Sequence, residues 1–379
     1  MKRGREGLED GVYTWRRLGR ATCGLVFGLG LGCVGWGQEV EEIPVWQKLV
    51  SFQAMGGYKD NVLLSSALPE GSAFVGGGVE LIGWRTLGNG GEFLGFVVGE
   101  HRQYLDAQEV DYEQTFVAQA QWKHPLWGDW ELVGPVEYFY VDQVMDVSAT
   151  EVEVEPTRVQ GQNFGVRPAV GRDIASGRME VELSMVRQVY AAPLDDSWEA
   201  GGKVEWQHVL GERGRLDISY EFRETWYDSD PALDAEGVPL PGSHRQMDRH
   251  EAGVEGRWEW GRDWRLTGGV SGVWARDREE GFYDYVRPGA QVRLRYRSAG
   301  WTLSVGGRAR YYSYAQQTVS SVDSSLRHRA ELGLNGKVER ELTDWLSVFG
   351  EYDFERTTSN RPAEAYRVST VSLGLEAVF

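Results

Sequence analysis

The sequence predicts an all-β protein, a transmembrane antiparallel up-and-down β-barrel of about sixteen strands, on three observations. Apolar and polar residues alternate with a period of two over most of the chain, short and long turns follow one another in strict alternation, and tryptophan gathers beside the short turns. No apolar run beyond residue 40 reaches the length of a membrane-spanning helix. A chain that is only 41% hydrophobic can still cross a bilayer if alternate residues face lipid and water, because a closed sheet pairs every backbone group between neighbouring strands.

The N-terminus has the three parts of a secretory signal: basic residues through Arg16, Arg17 and Arg20, an apolar stretch from Ala21 to Val34, and the small residues Gly35 and Gly37. Three segments follow: a signal peptide over 1–37, a short periplasmic segment over 38–46, and the barrel over 47–379. Both cysteines, Cys23 and Cys33, fall inside the signal, so the mature chain is expected to have no disulfide and no thiolate chemistry. Removing the signal takes away six basic and three acidic residues, and moves the net charge from −17 to −20. Such acidity argues against nucleic acid as a partner.

Seven short turns are predicted at 87–91, 125–129, 173–177, 211–214, 261–263, 298–300 and 342–344, with eight longer polar connections between them at 65–71, 105–111, 148–156, 191–197, 228–243, 277–282, 316–322 and 359–364. Seven and eight in alternation give sixteen strands with both termini on the short-turn side. From Val286 the positions Pro288, Ala290, Val292, Leu294 and Tyr296 are apolar or small, while Arg287, Gln291, Arg293, Arg295 and Arg297 hold the other face. Ten tryptophans (84, 122, 127, 130, 206, 258, 260, 264, 301 and 345) lie near short turns, where a membrane interface holds amphipathic rings. The opposite strand ends are richer in tyrosine, including Tyr140, Tyr190, Tyr227, Tyr283, Tyr285, Tyr311 and Tyr312, and read as the second girdle.

The last strand, residues 366–379, resembles the terminal recognition strand of Gram-negative outer-membrane β-barrel proteins, with Val371, Leu373, Leu375, Ala377 and Phe379 matching its alternate apolar residues and terminal aromatic. The resemblance implies insertion by the barrel-assembly machinery, an integral place in the outer membrane with both termini periplasmic, and contact with outer-membrane lipid and lipopolysaccharide. The opening run Gly56 to Val62 resembles, over a short stretch, uncharacterised barrels associated with exopolysaccharide export.

On the polar face Arg287, Arg293, Arg295, Arg297, Arg308 and Arg310 form the candidate pore lining, because guanidinium groups along a wet channel favour anions. The competing reading pairs these arginines with carboxylates on neighbouring strands, such as Arg329 with Glu351 or Glu355, and makes them purely stabilising. The acidic outer loops, including Asp195, Asp196, Asp228 and Asp230, read as solvated. The six histidines have neither metal nor triad spacing, so no catalytic residue, metal or cofactor is expected; only Asp228, Asp230 and His244 invite comparison with a rim protease. The expectation is a passive, porin-like channel for small anionic solutes. The alternative is a non-conducting structural or export-accessory barrel, and a homo-oligomer or an export partner stays open. The third outer connection, 148–156, looks too short to fold into the lumen, which leaves 228–243 as the one loop long enough to do so.

Deleting Phe379 is expected to lower the fraction of chain assembled in the outer membrane, read as heat-modifiable migration on gels. Unaltered assembly would dissociate the terminal aromatic from recognition.

Overall fold

Alternating side chains fix which face of a strand meets lipid, and hairpin turns fix its neighbour, so an up-and-down sheet is the local consequence of this pattern. The computed structural model describes residues 46–87, 90–148 and 156–379. The predicted signal peptide and nearly all of the segment after it therefore lie outside the described residues. The strands are β1 (Gln47–Lys59), β2 (Ser72–Thr86), β3 (Glu92–Tyr104), β4 (Tyr112–Pro125), β5 (Trp130–Met145), β6 (Thr157–Val166), β7 (Ala169–Ile174), β8 (Gly177–Tyr190), β9 (Ser197–Leu210), β10 (Gly214–Tyr227), β11 (Gln246–Trp260), β12 (Trp264–Asp277), β13 (Tyr285–Ser298), β14 (Trp301–Thr318), β15 (Leu326–Glu341), β16 (Leu346–Ser359) and β17 (Tyr366–Val378).

Seventeen segments make sixteen wall strands. Both β6 and β7 run between β5 and β8, and only Arg167 and Pro168 part them. Pro168 has no N–H to give, but its carbonyl still accepts from Leu183 N at 2.9 Å, and Arg167 N donates to Pro135 O at 3.1 Å. The ladder thus continues through the break.

The sheet closes where β1 meets β17, in register from Ser51↔Val378 to Lys59↔Thr370. Phe379 extends this seam by one residue: its N–H donates to Val50 O at 2.8 Å, and its carbonyl accepts from Val50 N at 3.1 Å. Its ring stacks on Trp345 at 6.1 Å and meets Phe52 edge-on at 6.5 Å. The five residues of the terminal motif share the outward face, on which Val371, Leu373, Leu375 and Phe379 are exposed. Without an edge, the wall presents no unpaired strand to lipid.

Short turns close at one end, where both described chain ends also lie. Five carry a glycine in the left-handed region, among them Gly128 (φ 59°), Gly211 (φ 65°) and Gly261 (φ 64°). Between β13 and β14, Ala299 (φ 51°) and Gly300 (φ 76°) make a two-residue turn with both positions left-handed, the geometry that matches strand twist.

Tryptophans 122, 127, 206, 258, 260, 264, 301 and 345 are exposed at the short-turn end, as a girdle requires. Trp84 departs from that expectation. It shares the inward face with Ile82 and packs in the lumen with Leu49, Leu94, Phe96, Val98 and Val117, because β2 and β3 are apolar on both faces. The tyrosine girdle needs a larger correction. Tyr311 points outward, but Tyr283, Tyr285 and Tyr312 are buried inside the mouth of the barrel, and Tyr190 and Tyr227 lie on the inward parity of their strands. Aromatic content at a strand end does not reveal the face, and only parity does.

Gly374 shows how tightly the seam is built. A Cβ at this inward position would lie 2.5 Å from the Phe349 ring, directly across the ladder, and 2.6 Å from Ala54 O. Gly374→Leu is expected to prevent closure, seen as loss of the heat-modifiable species, while the outward Leu373→Ile is expected to assemble normally.

Candidate functional site in the lumen and its mouth

Below Asp277 at the loop end, every charged side chain that β12, β13 and β14 turn inward is an arginine: Arg265, Arg287, Arg293, Arg295, Arg297, Arg308 and Arg310. They stand opposite in parity to the exposed Val270, Val292, Leu294 and Val305. The six predicted pore-lining residues therefore share one continuous inward face running from the short turns towards the loops.

Their charge is less isolated than the sequence suggests. Arg287 lies 3.6 Å from Glu251 on β11, Arg297 lies 3.4 Å from Glu341 and Arg310 lies 3.7 Å from Glu331 on β15, and Arg308 donates to Glu355 of β16 at 2.6 Å. Four of the six thus have a carboxylate on a flanking strand, and long side chains let Arg308 reach past β15 altogether. The expected pairs are redistributed: Glu355 takes Arg308, Glu351 takes Lys337 at 3.3 Å, and Arg329 takes neither.

Elsewhere the lumen is laced by opposite charges two residues apart on one strand, where both side chains share a face. Arg215–Asp217 (2.7 Å), Arg249–Glu251 (2.5 Å), Lys203–Glu205 and Arg223–Glu221 are such pairs. Their i, i+2 spacing is the legible sequence signal for a polar wall. Other pairs cross the ladder, as Arg167–Glu137 (2.7 Å) and Arg178–Glu131 (2.6 Å) do.

The mouth at the loop end holds what the sequence did not reveal. Asp146 follows directly on β5, and β15 is seven strand pairings away by the shorter way round the sheet. Yet Arg329 of β15 grips both carboxylate oxygens of Asp146, one of them at 3.0 Å, and also donates to the Ser148 hydroxyl and to Glu331 at 2.9 Å. Arg327 donates to the Ser148 carbonyl, to Gln317 at 2.6 Å and to Glu364 at 3.1 Å, with its guanidinium 4.3 Å from the centre of the Tyr314 ring. Each arginine is only 1% exposed. Asp146 in turn accepts from the Ser148 N–H at 3.1 Å and its O–H at 2.6 Å, which fixes the carboxylate for a two-pronged grip. The entry of the third outer connection therefore reaches across the lumen, contrary to the expectation from its length, although residues 149–155 of that connection lie outside the described residues.

Other loops fold inward beside this latch. Val62 and Leu64 of the first connection and Val110 of the second pack with Phe74, Tyr104, Val144, Tyr366 and Val368. The long connection after β10, the one long enough to do so, folds in: Ala232 is fully buried, and Leu233 joins Phe282 and Tyr283. Arg245 clamps its base, 3.0 Å from Asp230 and 3.5 Å from the centre of the Tyr227 ring.

The loop carboxylates are thus more than a solvated fringe. Burial raises the Asp230 pKa above the ordinary range, with Arg245 opposing it. Burial also acts on Asp195, but donation from Ser229 O–H (2.6 Å) and the amides of Ser229 and Asp230 outweighs it and holds the carboxyl below that range. Asp228 holds Arg187 at 2.6 Å, so the two aspartates that invited comparison with a protease are each engaged by an arginine. No group of three or more metal-ligating side chains occurs among the described residues.

The closed sheet, apolar outer face and charged lumen define an integral β-barrel of the outer-membrane type. No family model matches the sequence, and no curated protein does. Among solved structures the chain is similar to OccAB1 of Acinetobacter baumannii, with 9% identity, 89% of this chain and 97% of that chain covered, and a TM-score of 0.48. It is similar also to OccK9 (OpdG) of Pseudomonas aeruginosa, at 10% identity, 89% and 99% coverage and a TM-score of 0.47. An anion-selective porin from Comamonas acidovorans matches at 12% identity, 88% and 99% coverage and a TM-score of 0.42.

Arg329→Met strands a buried carboxylate and is expected to destabilise the mouth by about 3–5 kcal/mol, and Asp146→Leu in the same chain is expected to restore most of that. Faster amide exchange at 144–148 in the single variant is the readout. Unchanged exchange would contradict the latch.

Proposed function

We propose that this barrel is a porin-like channel with a latched, narrow mouth, which passes small solutes and favours anions. The observation that carries the reading is the unbroken run of inward arginines on β12, β13 and β14. Carboxylates enter this face only from its flanks, so an anion moving along it exchanges one guanidinium partner for the next, each contact strong enough to enter and weak enough to leave. In this reading the loop end faces outward and the short turns face the periplasm, so a solute meets the latch first and the arginines Arg293, Arg295 and Arg297 last.

A second reading, a non-conducting structural or export-accessory barrel, is favoured by one observation: the fully buried Arg327 and Arg329 and the apolar clusters beside them pack the mouth as a protein core is packed. Planar-bilayer recording separates the two. The channel reading expects small ohmic steps with a reversal potential on the anion side, moved towards cations by Arg293→Glu with Arg295→Glu. Absence of steps would sink it, and an unmoved reversal potential would remove these arginines from selectivity.

A further inference from the structure

On the outer wall near the loop end, two arginines stand directly opposite each other on neighbouring strands. Arg356 of β16 and Arg367 of β17 are cross-strand partners, both exposed, both on the face that carries Tyr352 and Val371. Like charges in this relation destabilise a sheet unless something neutralises them. Neither guanidinium has a carboxylate within ion-pair reach among the described residues. The carboxylate of Asp60, next along the rim, instead accepts the Ser369 amide at 2.6 Å.

Beside the pair the wall is hollowed. Pro288, Ala290, Ala309 and Ala330 are short side chains beside the taller Leu332, and with Arg356 at the edge they leave a groove of about 600 Å³ running across β13–β16. Its register is continuous: Ala290 faces Ala309, Ala309 faces Leu332, Leu332 faces Arg356, and Arg356 faces Arg367. One end of a single row is thus apolar and hollow, and the other is doubly cationic. Exposed Tyr311 lines it on the loop side, where amphipathic rings meet headgroups.

The geometry points to a lipid site on the outer wall, in which Arg356 and Arg367 jointly bind a phosphate of lipid A while one of its acyl chains lies in the groove beside them. A phosphate dianion between two guanidiniums converts the repulsion into paired, charge-assisted hydrogen bonds. The apolar part of the row gives the chain a seat that a soluble phosphate could not use. Assignment to lipid A rests on the outward orientation of the loop end given above. The channel activity is independent of this site, since both arginines face away from the lumen.

The test is native mass spectrometry of the full barrel in detergent, titrated separately with bisphosphorylated lipid A, dephosphorylated lipid A and phosphatidylglycerol. The site expects wild-type protein to retain bisphosphorylated lipid A, and Arg356→Gln with Arg367→Gln to weaken it by about tenfold or more, the scale of losing charge-assisted contacts. Arg356→Lys with Arg367→Lys is expected to recover part of the binding, and Arg85→Gln, outward at the other end of the wall, to leave it unchanged. Heat-modifiable migration confirms that each variant is folded. Equal retention of the dephosphorylated lipid, or no loss in the double glutamine variant, would overturn the site. Equal retention of phosphatidylglycerol would overturn the assignment to lipid A. Unaltered conductance in the double variant would keep this result separate from the channel reading.

Discussion

A strand in hydrocarbon has no water to satisfy its backbone, and the closing pair of β1 with β17 is where this chain meets that constraint. Val50 and Phe379 exchange two hydrogen bonds at the last residue of the sequence, so the ladder runs to its end. Everything else follows from having no edge. Once the sheet is closed, parity divides each strand into a lipid face and a lumen face, and the lumen face is free to carry charges that a soluble sheet of this size would have to bury or solvate.

Charge on the lumen face is organised at two ranges. Pairs two residues apart neutralise charge locally on β3, β8, β9, β10, β11 and β15, and this keeps the wall rigid without specifying a solute. Arg287, Arg297, Arg308 and Arg310 on β13 and β14 instead take carboxylates from flanking strands, so their neutralisation is directional. At the mouth the range is longest: Asp146 and Arg329 are 183 residues apart, yet they make a two-pronged ion pair in a setting where an uncompensated charge is costly. In the proposed channel the latch sets how far the walls of the mouth separate, and the arginine face is the part that would attract an anion between them.

Turn positions, strand number, the closing strand and the identity of the inward arginines were legible because each depends on neighbours within about ten residues, and the period of two carries that information. Three features were hidden for physical reasons. Glu355 became the partner of Arg308 only once the register between β14, β15 and β16 was fixed, and no spacing in the chain encodes that. Tyr285 and Tyr312 looked like interfacial rings because they sit at strand ends, whereas the inward loops gave them a core to fill. The latch is hidden because loop length does not measure reach. Asp146 and Ser148 need no long loop, since the end of β5 itself brings them to Arg327 and Arg329.

This mouth is held narrow from within. That is tested most directly by replacing Asp146 and Arg329 with cysteines in a chain that has no other cysteine after residue 33, and applying a short bifunctional thiol reagent to the barrel in membranes. An intramolecular cross-link in high yield is expected, with a cysteine at Asp146 paired to a control cysteine at Glu351 giving far less. A cross-link no more frequent than the control would contradict it, and would describe a mouth as open as the spacing of β5 and β15 around the sheet implies.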